Sequence, residues 1–232
     1  MSLYQKSAAV VQQTDILARM GGQNRAMMLA IGEVCRYAKG AFVFQAGAPG
    51  KHVYFLQQGR VKVCQPSLSG KDTILWFCFA GEMFGLAEVA QGGGRVVYAQ
   101  ACEPSEVVRL TQNQLFEFLR CHPDLTQLFM QVLSCRMRNL SEVIVNLVND
   151  DVETRIVKLI LRLGARHGER VGQDIHFNIM LTHQEIADMV GTTRQTVTAI
   201  LGKLKRQGFM SLENRRIYFD SPELSGSARH TG

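Results

Sequence analysis

The spacing of hydrophobic positions changes several times along this chain, and each change predicts a different kind of element. Residues from about Tyr4 to Ala30 read as helical. From Val34 the apolar residues gather into short runs, FVFQ, HVYFLQ, VKVCQ, TILWFCF, RVVYAQA and EVVRL, rich in Val, Phe, Tyr and Ile. Gly40, Gly47, Gly50, Gly59, Gly70 and Gly81 separate them at intervals of several residues. β-Branched and aromatic side chains fit a half-buried pleated surface, and glycine accepts the backbone angles of tight turns. Many short strands with glycine turns predict an antiparallel sandwich or barrel, not alternating parallel units.

Gln91-Gly92-Gly93-Gly94-Arg95 follows. A phosphate loop needs a helix N-terminus directly after its glycines, where amides and dipole converge. RVVYAQA predicts a strand there, which excludes a nucleotide P-loop. A tight approach between strands or a ligand-facing turn is expected instead. From His122-Pro123 the spacing becomes helical, with proline pre-organised for a first helical position. Met130, Leu133, Met137, Leu140, Ile144 and Leu147 recur at alternating steps of three and four, a heptad seam. Phe129, Val132, Val143 and Val145 widen the apolar surface beyond the seam. Ending near Asn149, the helix would be about 40 Å long. One side can pack on its own strand-rich domain and the seam on a second copy, which makes a dimer coiled coil the preferred reading over a purely intramolecular core helix.

Asn149-Asp150-Asp151 interrupts the seam and is the candidate hinge, with Asp151 an N-cap for VETRIVKLILRLGARHG. Gly164 to Asn178 reads as a loop with a short strand. The next stretch, Leu181 to Phe219, divides into two short helices and two short strands. Thr182 and Glu185 have the capping-box spacing that starts a helix. Ile186, Ala187 and Val190 give it one apolar face, and Gly191 ends it. Thr193, or alternatively Thr192, caps a second helix buried through Val197, Ile200, Leu201 and Leu204. Small Ala187 permits two helices to cross closely, and the offsets of Ala187, Gly191, Val197 and Ile200 are those of a helix-turn-helix. Phe209 to Leu212 and Arg215 to Phe219 predict a hairpin wing. On the exposed start of the second helix, Arg194 suits bidentate bonding to guanine and Gln195 to adenine, with Thr198 and Ala199 one turn later. Thr193 and Thr196 suit phosphate, which positions without specifying. A cap from Gln195 to Thr192, and a generic phosphate contact from Arg194, are the plainer alternatives.

At 232 residues and 46% apolar composition there is material for two units, each with a core. No apolar run reaches the length of a membrane span, and the start lacks a basic segment followed by an apolar one, so a reducing cytoplasm is expected. A net charge of +6 suits a polyanionic partner. Its placement says more: Arg194, Lys203, Lys205 and Arg206 lie on the second helix with no acid between them, and Arg215 and Arg216 follow. The six cysteines, Cys35, Cys64, Cys78, Cys102, Cys121 and Cys135, include no C-x-x-C or C-x-H pair. That spacing opposes a structural zinc site, and most are expected to be small buried residues.

Strand-rich domain, seam helix, hinge and winged helix-turn-helix, in this order, resemble the cyclic-AMP receptor protein and fumarate–nitrate regulator (CRP/FNR) family from about Val34 to Asp220. LTHQEIADMVGTTRQTV and DVETRI carry the likeness most specifically. The resemblance implies an α+β chain: an antiparallel β-roll sensor (a double-stranded β-helix like cyclic-nucleotide-binding domains) over 1–122, a dimerisation helix and hinge over 123–150, and a winged helix-turn-helix over 151–232. It also implies a homodimer on a pseudo-palindromic double-stranded DNA operator, RNA polymerase as a partner, and a small-molecule or redox/gas signal that reorients the DNA-binding domains. Gln184, Thr193 and Thr196 match family phosphate contacts and Arg194 a base contact. Gln195 stands where the cyclic-AMP branch has glutamate, and Thr198-Ala199 where the other branch has serine-arginine, so neither half-site transfers.

The sensor departs further. Around FGLAEV and RVVYA, the candidate effector positions are Gly85, Leu86, Glu88, Arg95 and Val96, with Leu140 and Ser141 on the long helix. Arg95 matches the phosphate-binding arginine and Ser141 a residue near the purine. Leu86, Val96 and Leu140 replace a ribose-binding acid, a hydroxyl and a threonine. Each lost polar partner is worth about 0.5–1.5 kcal/mol, which argues against tight cyclic-AMP binding in the family pose. Glu88 compensates only if the pocket backbone shifts, and Arg95 is either a phosphate anchor or an arginine satisfied by a nearby carboxylate. No cysteine precedes Cys35, against an N-terminal iron–sulfur cluster, and EMFGLA has Gly85 and Ala87 where the haem-bearing member has Cys and His. A haem on other residues, or a thiol sensor at Cys78, Cys102 or Cys121, stays open. No cofactor, metal site or catalytic residue is assigned. A cupin-like metalloenzyme would want several histidines on the strands, which contain only His52. A DNA-binding protein with no effector is the other alternative.

Overall fold

Strand β3 (His52–Gln58) shows how the first half of the chain is layered. Its residues alternate between two cores, Val53 and Phe55 in one and Tyr54 and Leu56 in the other, and all four are buried. A strand hydrophobic on both faces must be covered on both. The computed structural model describes residues 14–67, 70–171, 174–177, 181–208, 210–213 and 216–219. In it, β3 lies in an antiparallel sheet with β1 (Glu33–Tyr37), β8 (Ser105–Thr111) and β6 (Met83–Phe84), in the order β1-β8-β3-β6. A second sheet has the order β2-β7-β4-β5, from β2 (Phe42–Phe44), β4 (Arg60–Gln65), β5 (Thr73–Phe79) and β7 (Tyr98–Ala101). One core, with Tyr54, Leu56, Val61, Val63, Phe84, Ala99 and Val107, joins the two sheets. The other sets Val53, Phe55, Val108 and Leu110 against helices.

Those helices are α1 (Ile16–Arg19), α2 (Gly22–Ile31), α4 (Gln112–Cys121) and the start of α5 (Pro123–Asn149); α3 (Ala87–Gln91) is a short turn after β6. Two differ from expectation. The expected N-terminal helix is broken at Gly21, whose φ is +79°, and its residues 4–13 lie outside the described residues. Helix α4 falls where the periodicity predicted nothing helical. Its signal was Thr111-x-x-Gln114, a capping box in which Thr111 Oγ1 accepts the Gln114 amide at 3.2 Å and Gln114 Oε1 accepts the Thr111 amide at 2.8 Å.

Cα proximity divides the chain into two compact units, residues 13–137 and residues from 138 on, so that α5 contributes to both. In the first unit α5 buries Leu125, Leu128, Phe129, Val132 and Cys135. Along its length Met130, Leu133, Met137, Leu140, Ile144, Leu147 and Val148 remain exposed, Met137 at 70% and Val148 at 77%. These residues give α5 an exposed apolar stripe.

The second unit comprises the rest of α5, α6 (Val152–His167), α7 (His183–Val190), α8 (Arg194–Arg206) and a sheet in the order β11-β12-β10-β9. Strands β9 (Gly168–Val171), β10 (Asp174–Phe177), β11 (Met210–Glu213) and β12 (Arg216–Phe219) are all antiparallel. The expected loop from Gly164 is instead the end of α6 and a hairpin. The wing hairpin forms with Glu213 opposite Arg216; Phe209 and Arg215 lie outside the described residues. Of the cysteines, Cys64, Cys78 and Cys135 are buried, Cys35 and Cys102 half-buried and Cys121 exposed, all as free thiols. Fewer are buried than expected. No helix among the described residues is long and apolar enough to cross a membrane.

At the break after α5, Asp151 Oδ1 accepts the Thr154 amide at 2.8 Å, the expected N-cap. Lys158 bonds both Asn146 and Asp150, at 3.2 and 2.8 Å, bracing the break from α6. Hydrogen bonds from Thr154 hold the Asp151 carboxyl below its ordinary 3.8. A folded value below the unfolded one stabilises the fold above about pH 3.8, and that contribution disappears as pH falls through the folded value. An NMR titration of the Asp151 carboxyl carbon should give a midpoint under 3.8; a midpoint at or above it contradicts the cap's role.

Candidate functional site

The helix pair α7–α8 is built from its ends inward. Thr182 Oγ1 accepts the Glu185 amide at 3.1 Å, and Glu185 Oε2 accepts the Thr182 amide at 2.8 Å, so the capping box read from the sequence is complete. At the other end Gly191 takes φ +71°, the left-handed conformation that costs glycine least, and the Thr192 amide returns to the Ala187 carbonyl at 3.0 Å. The chain then turns, and Thr193 caps α8 by accepting the Thr196 amide at 3.1 Å. Ile186, Ala187 and Val190 pack with Val197, Leu201 and Leu204, all buried, while Ile200 is half-buried. Ala187 has no exposed surface, as a close crossing requires. Replacing Thr182 by alanine should destabilise this unit by about 1 kcal/mol, since it removes the cap. Hydrogen exchange of the α7 amides measures it, and unchanged protection would show that the cap contributes nothing.

This construction leaves the start of α8 outward. Arg194 and Gln195 are exposed and have no side-chain partner among the described residues. Thr193 and Thr196 share a hydroxyl contact at 2.8 Å. Thr198 is more committed than its sequence position suggested. Its hydroxyl donates to the Arg194 carbonyl at 2.9 Å, which leaves the oxygen to accept from His183 Nδ1 at 2.8 Å. That link ties the first turn of α7 to α8. Gln184, exposed, donates to Asp188 at 2.7 Å. The basic face is also smaller than its composition implied. Lys203 pairs with Glu153 of α6 at 2.7 Å, while Lys205 and Arg206 stay exposed. No sequence signal pointed to the His183–Thr198 or Lys203–Glu153 pairs, whose members are 15 and 50 residues apart.

In the first unit Gly85, Leu86, Glu88 and Arg95 come together around β6, α3 and the turn before β7. Glu88 and Arg95 are buried and paired at 2.6 Å. The nearby carboxylate that one of the two readings of Arg95 called for is Glu88. Leu86 precedes α3 and packs on the helical core; Val96 is 64% exposed. Leu140 and Ser141 belong to the second unit. Gly50 donates to the Gly93 carbonyl at 3.0 Å and Pro49 bridges Gly94, so the Gly92–Gly94 run lies close against the Pro49–Gly50 segment, outside the strands. Arg136 of α5 donates to the Met83 carbonyl and lies over the Trp76 ring, fastening the helix to β6. No group of His, Cys, Asp and Glu suited to a metal occurs among the described residues.

Comparison with known proteins matches both halves. A family model described as cyclic nucleotide-binding domain covers residues 34–122, and one described as Crp-like helix-turn-helix domain covers residues 154–224. The global nitrogen regulator of a Synechocystis species is 31% identical over 182 residues, 78% of this chain and 81% of the relative. The CRP-like cAMP-activated global transcriptional regulator of Mycobacterium tuberculosis is 28% identical over 194 residues, 83% and 87% of the two chains. Among solved structures, a CooA mutant from Carboxydothermus hydrogenoformans aligns with a TM-score of 0.73 at 25% identity, over 86% of this chain and 88% of the other.

Proposed function

The chain belongs to the CRP/FNR family of DNA-binding transcription regulators, and on that premise we propose that it acts as a homodimer on a pseudo-palindromic operator in the cytoplasm. Like its relatives it is a regulator and not an enzyme. The observation that carries the dimer is the uncovered apolar stripe along α5 on a chain that also presents α8 outward. Two copies joined along that stripe would offer two α8 helices to successive major grooves, as helix-turn-helix dimers do.

In this reading Arg194 and Gln195 reach base edges, Arg194 to guanine and Gln195 to adenine. Thr193, Thr196 and Gln184 contact phosphate, and exposed Thr198 meets the groove one turn later. Residues 1–122 receive a signal, residues 123–150 pair the chains and form the hinge, and residues 151–232 bind DNA, with RNA polymerase as the further partner. Of the relatives, the M. tuberculosis protein is named as cAMP-activated. The apolar residues Leu86 and Val96 and the paired Arg95 support a different input here.

Selection of bound sequences from a random duplex pool tests the proposal. It should return a two-fold related site with half-sites about 10 base pairs apart centre to centre. An unrelated or unenriched pool would contradict it.

A further inference from the structure

A buried guanidinium needs an anion and several acceptors, and Arg95 finds one carboxylate and two carbonyls in its own chain. Its side chain is 1% exposed and that of Glu88 8%. Nη1 donates to Glu88 Oε2 at 2.6 Å and to the Gly85 carbonyl at 2.7 Å, and Nη2 donates to the His52 carbonyl. The group lies over the Phe44 ring, 4.3 Å from its centroid. Nε alone has no acceptor among the described residues. The backbone is held as firmly: the Arg95 amide donates to the Ala48 carbonyl at 2.8 Å, and the Gly47 amide donates to the Arg95 carbonyl at 2.7 Å.

Glu88 reaches this position because of Gly50. A Cβ at residue 50 would stand 2.2 Å from the Glu88 Cβ, so any side chain there would push α3 and its carboxylate away. The Gly92–Gly94 run closes the same clamp from the other side. Sequence reading left Gly50 as one turn glycine among six. Its close approach explains why the carboxylate sits on Arg95.

We propose that Glu88 is the resident anion of the β-roll's basic subsite, holding the place at Arg95 that a phosphate-bearing effector needs and excluding such effectors from it. An incoming phosphate would have to share one guanidinium with a carboxylate, bringing like charges together at low dielectric. Expelling Glu88 instead would leave a buried carboxylate without its partner. The proposal rests on the reading of the β-roll as the signal-receiving unit and narrows its chemistry. The input is an uncharged or non-phosphate signal, or one that acts away from Arg95.

The test uses the full chain, with cyclic AMP and inorganic phosphate as probes. Wild type and Glu88→Gln, which keeps shape and an acceptor but removes the charge, are titrated by calorimetry and followed by thermal unfolding. Wild type should bind neither probe saturably. Glu88→Gln should gain saturable phosphate binding that raises its Tm by several degrees at about 100 times Kd, and adding Arg95→Gln should abolish the gain. A folded Glu88→Gln with no anion-dependent shift overturns the proposal. The wild-type arm needs no variant to fold. A saturable shift of the Arg95 Nε–H resonance in the wild type with either probe overturns the proposal. DNA plays no part in these readouts, so their failure is distinct from failure of the DNA-binding reading.

Discussion

Aspartates at Leu133 and Leu140 together should turn the dimer into a monomer and remove operator binding with it. Both leucines lie in the exposed stripe of α5, at 39% and 40% exposure in the single chain. Pairing two helices would bury four such leucines. A fully buried leucine contributes about 1.5–3 kcal/mol, so half-exposed ones supply at most roughly that in each case. Each aspartate adds a desolvation cost of several kcal/mol if the helices still pair. Nanomolar association amounts to only about 12 kcal/mol, so four charged replacements exceed what a seam of this kind holds. The single chain should fold normally, because its cores use Leu125, Leu128, Phe129 and Val132 instead. Sedimentation equilibrium should therefore give one chain per particle with unchanged circular dichroism. An intact dimer would remove the stripe from the account.

Arg194→Ala has the next largest expected effect, and the two-fold arrangement enlarges it. One bidentate arginine–guanine contact discriminates by about 1–3 kcal/mol. An operator read by two copies loses it twice, about 2–6 kcal/mol, or roughly thirty-fold to beyond ten-thousand-fold in affinity. Preference should relax at one base pair in each half-site while binding to random DNA changes little. Exposed Lys205 provides the contrast. Its replacement by alanine should weaken all sequences about equally and reduce the salt dependence by about one phosphate contact per chain. Titration of the selected operator and a scrambled duplex at several salt concentrations separates the two. If Arg194→Ala binds both as wild type does, Arg194 reads no base.

The order of elements was legible because each carries local signals. Capping boxes, the heptad seam, strand composition and the Gly191 turn act within a few residues of themselves. Helix α4 shows that such a signal is missed when the apolar pattern beside it is weak, although Thr111 and Gln114 marked its start. What the chain order did not reveal depends on residues far apart. Lys203 meets Glu153, His183 meets Thr198, and Gly50 admits Glu88 to Arg95 only once the roll has closed. The last is the most consequential. Sequence alone could not say whether Arg95 has a carboxylate partner, because that depends on the contact between residues 50 and 88.

The central claim is that two copies of this chain, joined along α5, read DNA through two α8 helices. Counting chains per duplex by sedimentation, with protection footprinting on the selected operator, tests it most directly. Two chains per duplex and two protected half-sites about one helical turn apart, roughly 34–36 Å, are the predicted result. A single chain bound, or protection of one half-site alone, would contradict it.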